Sequence, residues 1–217
     1  MKLIWCPEIA AKAYIDTVKF CGLSMESSAP ELISAMAGGW NAKLIVEAWT
    51  NGGAAPKNSI GLAIAARHSG GRHVCIVADE KSRQEYTCAM QNRPAGIALP
   101  EVMVGEAEEL MGRLTGIDFL VVDGHCKDFT RVFSFAKFSH LGAVLVCKNA
   151  SRKTFSWFRW NKVLDSAVSV VNSRNLPIGS GIDIAYVAGE KRCSGKVTKG
   201  WITHMDQQSG EEHVFRR

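Results

Sequence analysis

The densest cluster of reactive side chains follows an apolar run near the middle of the sequence. VVDGHCKDF sets Asp123, His125, Lys127 and Asp128 within six positions. Carboxylate, imidazole and amine are the groups that bind metals and move protons, and a carboxylate near an amine tunes both pKa values. A charged surface loop has the same composition. What favours chemistry here is position, directly after an apolar strand. Lys148 and Asn149 follow a later apolar run in the same way.

Three further stretches could hold a ligand. EAWTNGGAAPK carries Glu47 and then Gly52-Gly53 ahead of a helical segment. Glycines there let the backbone approach a ligand closely, and helix N–H groups attract anions. It matches neither the P-loop nor the dinucleotide fingerprint, so a flexible turn is an equal reading, and a nicotinamide-dependent oxidoreductase is disfavoured. Asp79-Glu80 places acids where ribose hydroxyls are commonly held, although Asp79 also suits a helix N-cap. Glu106 could accept from a purine amine or simply favour a helix N-terminus. SRKTFSWFRWNK interleaves four cations with Phe155, Trp157, Phe158 and Trp160. Core packing comes first for it, a lid over the site second, and a nucleic-acid contact third.

The elements between these stretches explain how they could meet. Helical spacing from Pro7 stops at Cys21-Gly22, and a second helix runs from an N-cap at Ser28 to Gly38-Gly39. Strands are expected at 43–48, 73–78, 101–104, 117–122 and 142–147, and helices at 58–67, 81–90, 106–114 and 129–138. This alternation predicts parallel β-α-β units with helices on both faces. Strands at 165–171 and 182–187 are joined by a turn-rich stretch, 172–181, too short for a crossover helix, and must run antiparallel. In such a sheet ligands lie beyond the carboxyl ends of the strands, where the stretches carrying Glu47, Asp79, Glu106, Asp123 and Lys148 fall. Residues 1–189 are expected to form one domain (helices over 1–39, core over 40–189), followed by a polar, basic tail at 190–217.

Composition narrows the partners. An apolar share of 47% with 22% charged residues belongs to a folded chain. No apolar run approaches the roughly 20 residues of a membrane span, and the N-terminus lacks a signal-peptide layout, so a cytoplasmic or nuclear location is expected. Seven scattered cysteines without a C-x-x-C pair argue against a disulfide framework or zinc site. Cys75 and Cys147 read as buried hydrophobes. A net charge of +5 would suit an anionic partner but lacks the concentration of a dedicated nucleic-acid binder.

From Trp40 to Val187 the order of elements resembles the catechol and caffeoyl-CoA type of class I S-adenosylmethionine-dependent O-methyltransferases. LVVDGHCKDF resembles their metal-and-base motif, VMVGEAEEL their adenine-contacting turn, and LPIGSGIDIAYV their closing hairpin. The whole chain, with WCPEIAAKAYIDTV, GGWNAKLIVE and AARHSGGRHVCIVADE, is similar to a plant family of uncharacterised methyltransferase-like proteins. The resemblance implies an α/β, doubly wound, Rossmann-like sheet, mostly parallel, with a C-terminal antiparallel hairpin strand and two N-terminal helices. It implies S-adenosylmethionine as cofactor, near Glu47, Gly52, Gly53, Asp79 and Glu106. Asp123 takes the metal carboxylate's place and Lys127, with His125, the base's.

Two departures qualify this. Glu47-Ala48 is followed by Trp49 where the group has glycine, and an indole there would obstruct the cofactor unless the chain takes another path. Lys148-Asn149 stands where the group has Asp-Asn, and a cation disfavours a divalent ion. The expectation is therefore a metal-independent enzyme acting on O or N of a small substrate, with the Lys148 ammonium near the missing metal's position, pairing with Asp123 and steadying a substrate oxyanion. The alternative is an inactive binding or regulatory module.

Overall fold

Strand β1 (Leu44–Ala48) is buried at every position, as an apolar run must be when helices cover both faces of its sheet. The computed structural model describes residues 4–21, 29–49, 57–126, 129–150, 158–189, 201–205 and 212–216. Helices α1 (Pro7–Cys21) and α2 (Ala29–Gly39) precede β1. After it come α3 (Lys57–Ser69), β2 (Arg72–Val77), α4 (Glu80–Ala89), β3 (Glu101–Val104), α5 (Ala107–Arg113), β4 (Thr115–Ile117) and β5 (Phe119–Asp123). The chain continues through α6 (Phe129–Phe135), β6 (Lys137–Phe138), β7 (Gly142–Lys148), α7 (Trp160–Val163), β8 (Val170–Leu176) and β9 (Ile182–Ala188). A last pair of strands is β10 (Trp201–Met205) and β11 (Glu212–Arg216).

Seven strands form one sheet in the order β3-β2-β1-β5-β7-β9-β8. All run parallel except β9, which is antiparallel to both β7 and β8. The expected doubly wound sheet with one reversed hairpin strand is therefore what the chain builds. The winding changes direction between β1 and β5, so the crevice at their carboxyl ends is the natural ligand position. Alternation along β1 sorts the core. Leu44, Val46 and Ala48 pack with Leu110, Val132 and Phe133 on one face, and Ile45 packs with Ile33, Leu62 and Ala65 on the other.

On that second face the helices approach closely. A Cβ on Gly38 would stand 3.0 Å from that of Ala13, and one on Gly61 would stand 2.9 Å from the Pro30 carbonyl oxygen. Gly38 and Gly39 are the last two residues of α2, as expected, and the left-handed residue beyond its end is Asn41 (φ 50°).

Three expectations move. The strand expected over 165–171 lies later, at Val170–Leu176. Its Asn172–Asn175 stretch is polar because β8 is the exposed sheet edge, and an edge strand reads like a turn when neither face is apolar. The helix expected over 129–138 ends at Phe135, and Lys137–Phe138 pairs instead with Thr115–Ile117. Within the expected tail, β10 and β11 pair as an antiparallel hairpin. Among the described residues no helix is long and apolar enough to cross a membrane.

Candidate functional site

Glu47 comes first, because its backbone puts it near the crevice while its side chain turns inward. Alternation sends it to the α3 side of the sheet with Cys75, its neighbour across β2. Oε2 accepts from the Ser59 hydroxyl at 2.9 Å and Oε1 from the Tyr86 hydroxyl at 2.9 Å. His73 Nε2 lies 3.1 Å from Oε1, close as an ion pair but without the alignment of a hydrogen bond; among the described residues neither of its ring nitrogens has a hydrogen-bond partner. The Glu47 and His73 side chains are each 3% exposed. Burial by itself would raise the Glu47 pKa, but the His73 imidazole and Ser59 hydroxyl outweigh it and hold the carboxyl below its ordinary value. Burial, reinforced by the Glu47 charge, pushes the Tyr86 hydroxyl far up, and it does the same to the Cys75 thiol. The tyrosine therefore stays a donor and the thiol inert. Glu47, expected to hold a cofactor, has its oxygens engaged inside the protein.

Trp49 follows the same logic. Its backbone N–H continues the pairing with β2, donating to Ile76 O at 2.9 Å. The half-buried indole packs edge-on to Tyr86, with ring centroids 5.5 Å apart, against the cluster of Ile60, Ile64, Cys75 and Val77. The indole thus turns into the helix layer.

Carboxylates without such neighbours stand at the next two strand ends. Asp79 N-caps α4, its Oδ1 accepting from the Ser82 N–H at 2.7 Å, and is otherwise exposed. That backbone bond lowers its pKa. Glu106, after Gly105, occupies the N-cap position of α5 but makes no capping bond. It too is exposed.

Across β1 the arrangement differs. Asp123 ends β5 and pairs in register with Lys148 at the end of β7. Asn149, held at φ 55°, brings its amide nitrogen to 2.9 Å from both Asp123 oxygens. The His125 backbone N–H donates to Oδ1 at 2.9 Å, and its ring Nδ1 stands 3.5 Å from the same oxygen. Lys148 Nζ lies 3.9 Å from Oδ2. The structure thus brings together Asp123, His125, Lys148 and Asn149. Gly52, Gly53, Lys127 and Asp128 lie outside the described residues.

The donor set fits a divalent metal poorly. Two unit charges 4 Å apart interact by about 4 kcal/mol at an effective dielectric of 20, so a divalent ion that close to the Lys148 ammonium would be opposed by roughly twice that. S-adenosylmethionine fits in part. Asp79 and Glu106 present exposed carboxylates of the kind that could accept from a nucleoside's hydroxyls and amine, whereas both Glu47 oxygens are engaged and offer no free carboxylate to its ammonium arm.

Ser59, His73 and Tyr86 were not anticipated. The available signal was His73 inside the apolar run HVCIVA, two positions from Cys75 and so on the same face. Of the basic-aromatic stretch, Phe158 and Trp160 are buried against Phe129 and Phe133, as core packing predicts. Trp160 Nε1 donates to Asp183 at 2.6 Å. Residues 151–157 lie outside the described ones. An open depression of about 500 Å³ runs beside β8, lined by Asn161, Asp165, Asn172 and Arg174. It follows the sheet edge, not the strand ends.

Solved structures share this architecture. An O-methyltransferase from Bacillus cereus in complex with S-adenosylhomocysteine is 19% identical with a TM-score of 0.57, over 85% of this chain and 93% of that one. An S-adenosylhomocysteine-bound methyltransferase from Podospora anserina is 14% identical with a TM-score of 0.56, over 86% and 90%. A methyltransferase from Geobacter sulfurreducens is 17% identical with a TM-score of 0.54, over 82% and 88%. At these identities the likeness is one of fold. Among curated proteins there is no match. Over residues 1–217 the sequence matches the family described as "Protein of unknown function (DUF1442)", and the chain belongs to that family.

Proposed function

We propose that the chain is an S-adenosylmethionine-dependent methyltransferase that modifies a small molecule without a divalent metal. The observation that carries the reading is the pair of exposed carboxylates, Asp79 and Glu106, on adjacent strand ends at the same edge of the sheet as the Asp123 cluster, with β1 between them. The fold shared with S-adenosylhomocysteine-bound methyltransferases supports it. Asp79 would accept from the ribose hydroxyls and Glu106 from the adenine amine. Gly52 and Gly53 would let the backbone approach the amino-acid arm, a task that Glu47 does not share. When bound, the cofactor supplies an electrophilic methyl group. Lys127 and His125 would handle the acceptor's proton, while Asp123, Lys148 and Asn149 orient the acceptor.

Calorimetric titration and thermal shift with S-adenosylhomocysteine test this. At 100 times its Kd a single-site ligand contributes about 2.7 kcal/mol of stability. No heat and no shift up to millimolar ligand would reject the reading.

One observation favours a second reading, a binding or regulatory module without catalysis. Glu47 is locked to Ser59 and Tyr86, so the group that would meet the amino-acid arm is absent. Adenosine separates the two. An enzyme that grips the whole cofactor binds S-adenosylhomocysteine far more tightly than adenosine, whereas a site recognising the nucleoside alone binds both equally.

A further inference from the structure

Helix α1 turns one face to solvent, and half of that face is apolar. Ala10, Ala13 and Thr17 are buried against the protein. The helical repeat then places Ala11, Ile15 and Val18 in an outward row, with Pro7 and Tyr14 beside it. Tyr14 is 40% and Ile15 49% exposed, and Ile4 and Trp5, which directly precede the helix, are 53% and 44% exposed. Large apolar residues scattered singly over a surface call for no explanation. Here four of the eight exposed ones among the described residues gather on or just before one helix.

The charges of α1 indicate what covers this face. Glu8, Lys12, Asp16 and Lys19 follow one flank of the apolar row in the order acid, base, acid, base. Glu8 pairs with Lys12 at 2.6 Å and Asp16 with Lys19 at 3.5 Å, while His68 of α3 lies 2.9 Å from Asp16. A partner of one sign would be repelled by half of this row. A second copy related by a two-fold axis across the helix brings the same flank of both helices together, running in opposite directions, so every acid can meet a base. With the axis at the level between positions 13 and 14, Glu8 stands opposite Lys19 of the second copy, and Lys12 is one position from its Asp16. Ala11 falls one position from Ile15 of the second copy, a small side chain beside a large one. A parallel pair would set the charged flank against Pro7 and Tyr14 instead.

We propose that α1 is a homodimer interface, in which two copies pair antiparallel through Ala11, Ile15 and Val18 and exchange Glu8–Lys19 ion pairs. This requires neither cofactor nor catalysis. A helix of 15 residues is about 22 Å long, so the contact lies toward the small end of specific interfaces and dissociates in the micromolar range.

Sedimentation of the full chain between about 1 and about 300 μM tests this, the mass rising from 23.7 kDa toward twice that value. Ile15→Asp should weaken association at least about tenfold. Lys19→Glu should weaken it about fivefold, because two exposed ion pairs become repulsive, and Glu8→Lys with Lys19→Glu should restore it. All three positions are exposed, so the circular dichroism of each variant should match the wild type. A constant 23.7 kDa at every concentration, a dimer indifferent to Ile15→Asp, or a double reversal that recovers nothing would each overturn the proposal.

Discussion

Glu47 and Asp123 occupy corresponding places, one near the end of β1 and the other at the end of β5, adjacent in the sheet. Glu47 lies inside, with a 3% exposed side chain among two hydroxyls and an imidazole. Asp123, at 10%, lies at the rim with an amide and an ammonium. Alternation turns Glu47 under α3 and α4, where Ser59 and Tyr86 can reach it. Asp123 is the last residue of β5, two positions beyond the Val121 that pairs with Glu47, where Asn149 and the following turn supply its partners. The same carboxylate chemistry is enclosed by helix side chains in one place and met by an amide and an ammonium at the strand's end in the other.

Substitutions can break that contrast. Glu47→Ala leaves His73 buried beside an empty place, and urea unfolding should show a loss of about 3–5 kcal/mol. Asp123→Ala, nearer to water, should cost about 1–3 kcal/mol. Equal losses would end the distinction. Trp49→Ala removes an aromatic contact and should lower stability by about 1–2 kcal/mol, yet leave calorimetric affinity for S-adenosylhomocysteine intact. A large drop in affinity would put the indole in the site. Asp79→Ala should weaken that ligand roughly tenfold with little change in secondary structure by circular dichroism.

The smallest effect sharpens the comparison through pH. Folding lowers the Glu47 pKa below its ordinary 4.5. That group therefore stabilises the fold fully above that value, and its contribution is lost as pH falls through the lowered one. The thermal midpoint of the wild type should fall more steeply with acid below about pH 4.5 than that of Glu47→Gln. Parallel profiles would mean that Glu47 gains nothing from its neighbours.

Legibility followed burial. The central strands were plain in sequence because a strand covered on both faces must be almost wholly apolar, as KLIVEA and GAVLVC are. The edge strand β8 was displaced because exposure removed that signal, leaving Asn172 and Asn175 to imitate a turn. Asp123, Lys148 and Asn149 were recognisable as site candidates because each follows an apolar run, and their mutual contacts match the expected Lys148–Asp123 pair. Gly38 and Gly39 were legible as the end of α2, while the close approach of Gly38 to Ala13 was not.

Residue types and their spacing determined the layers, the strand order's parallel logic and the edge at which chemistry would sit, because periodicity and turn residues act locally. They could not determine that Glu47 is consumed by Ser59 and Tyr86, 12 and 39 positions away. Which side chains meet a buried carboxylate depends on how α3 and α4 lie over β1 and β2. Only packing sets that, and with it which acids remain free to bind.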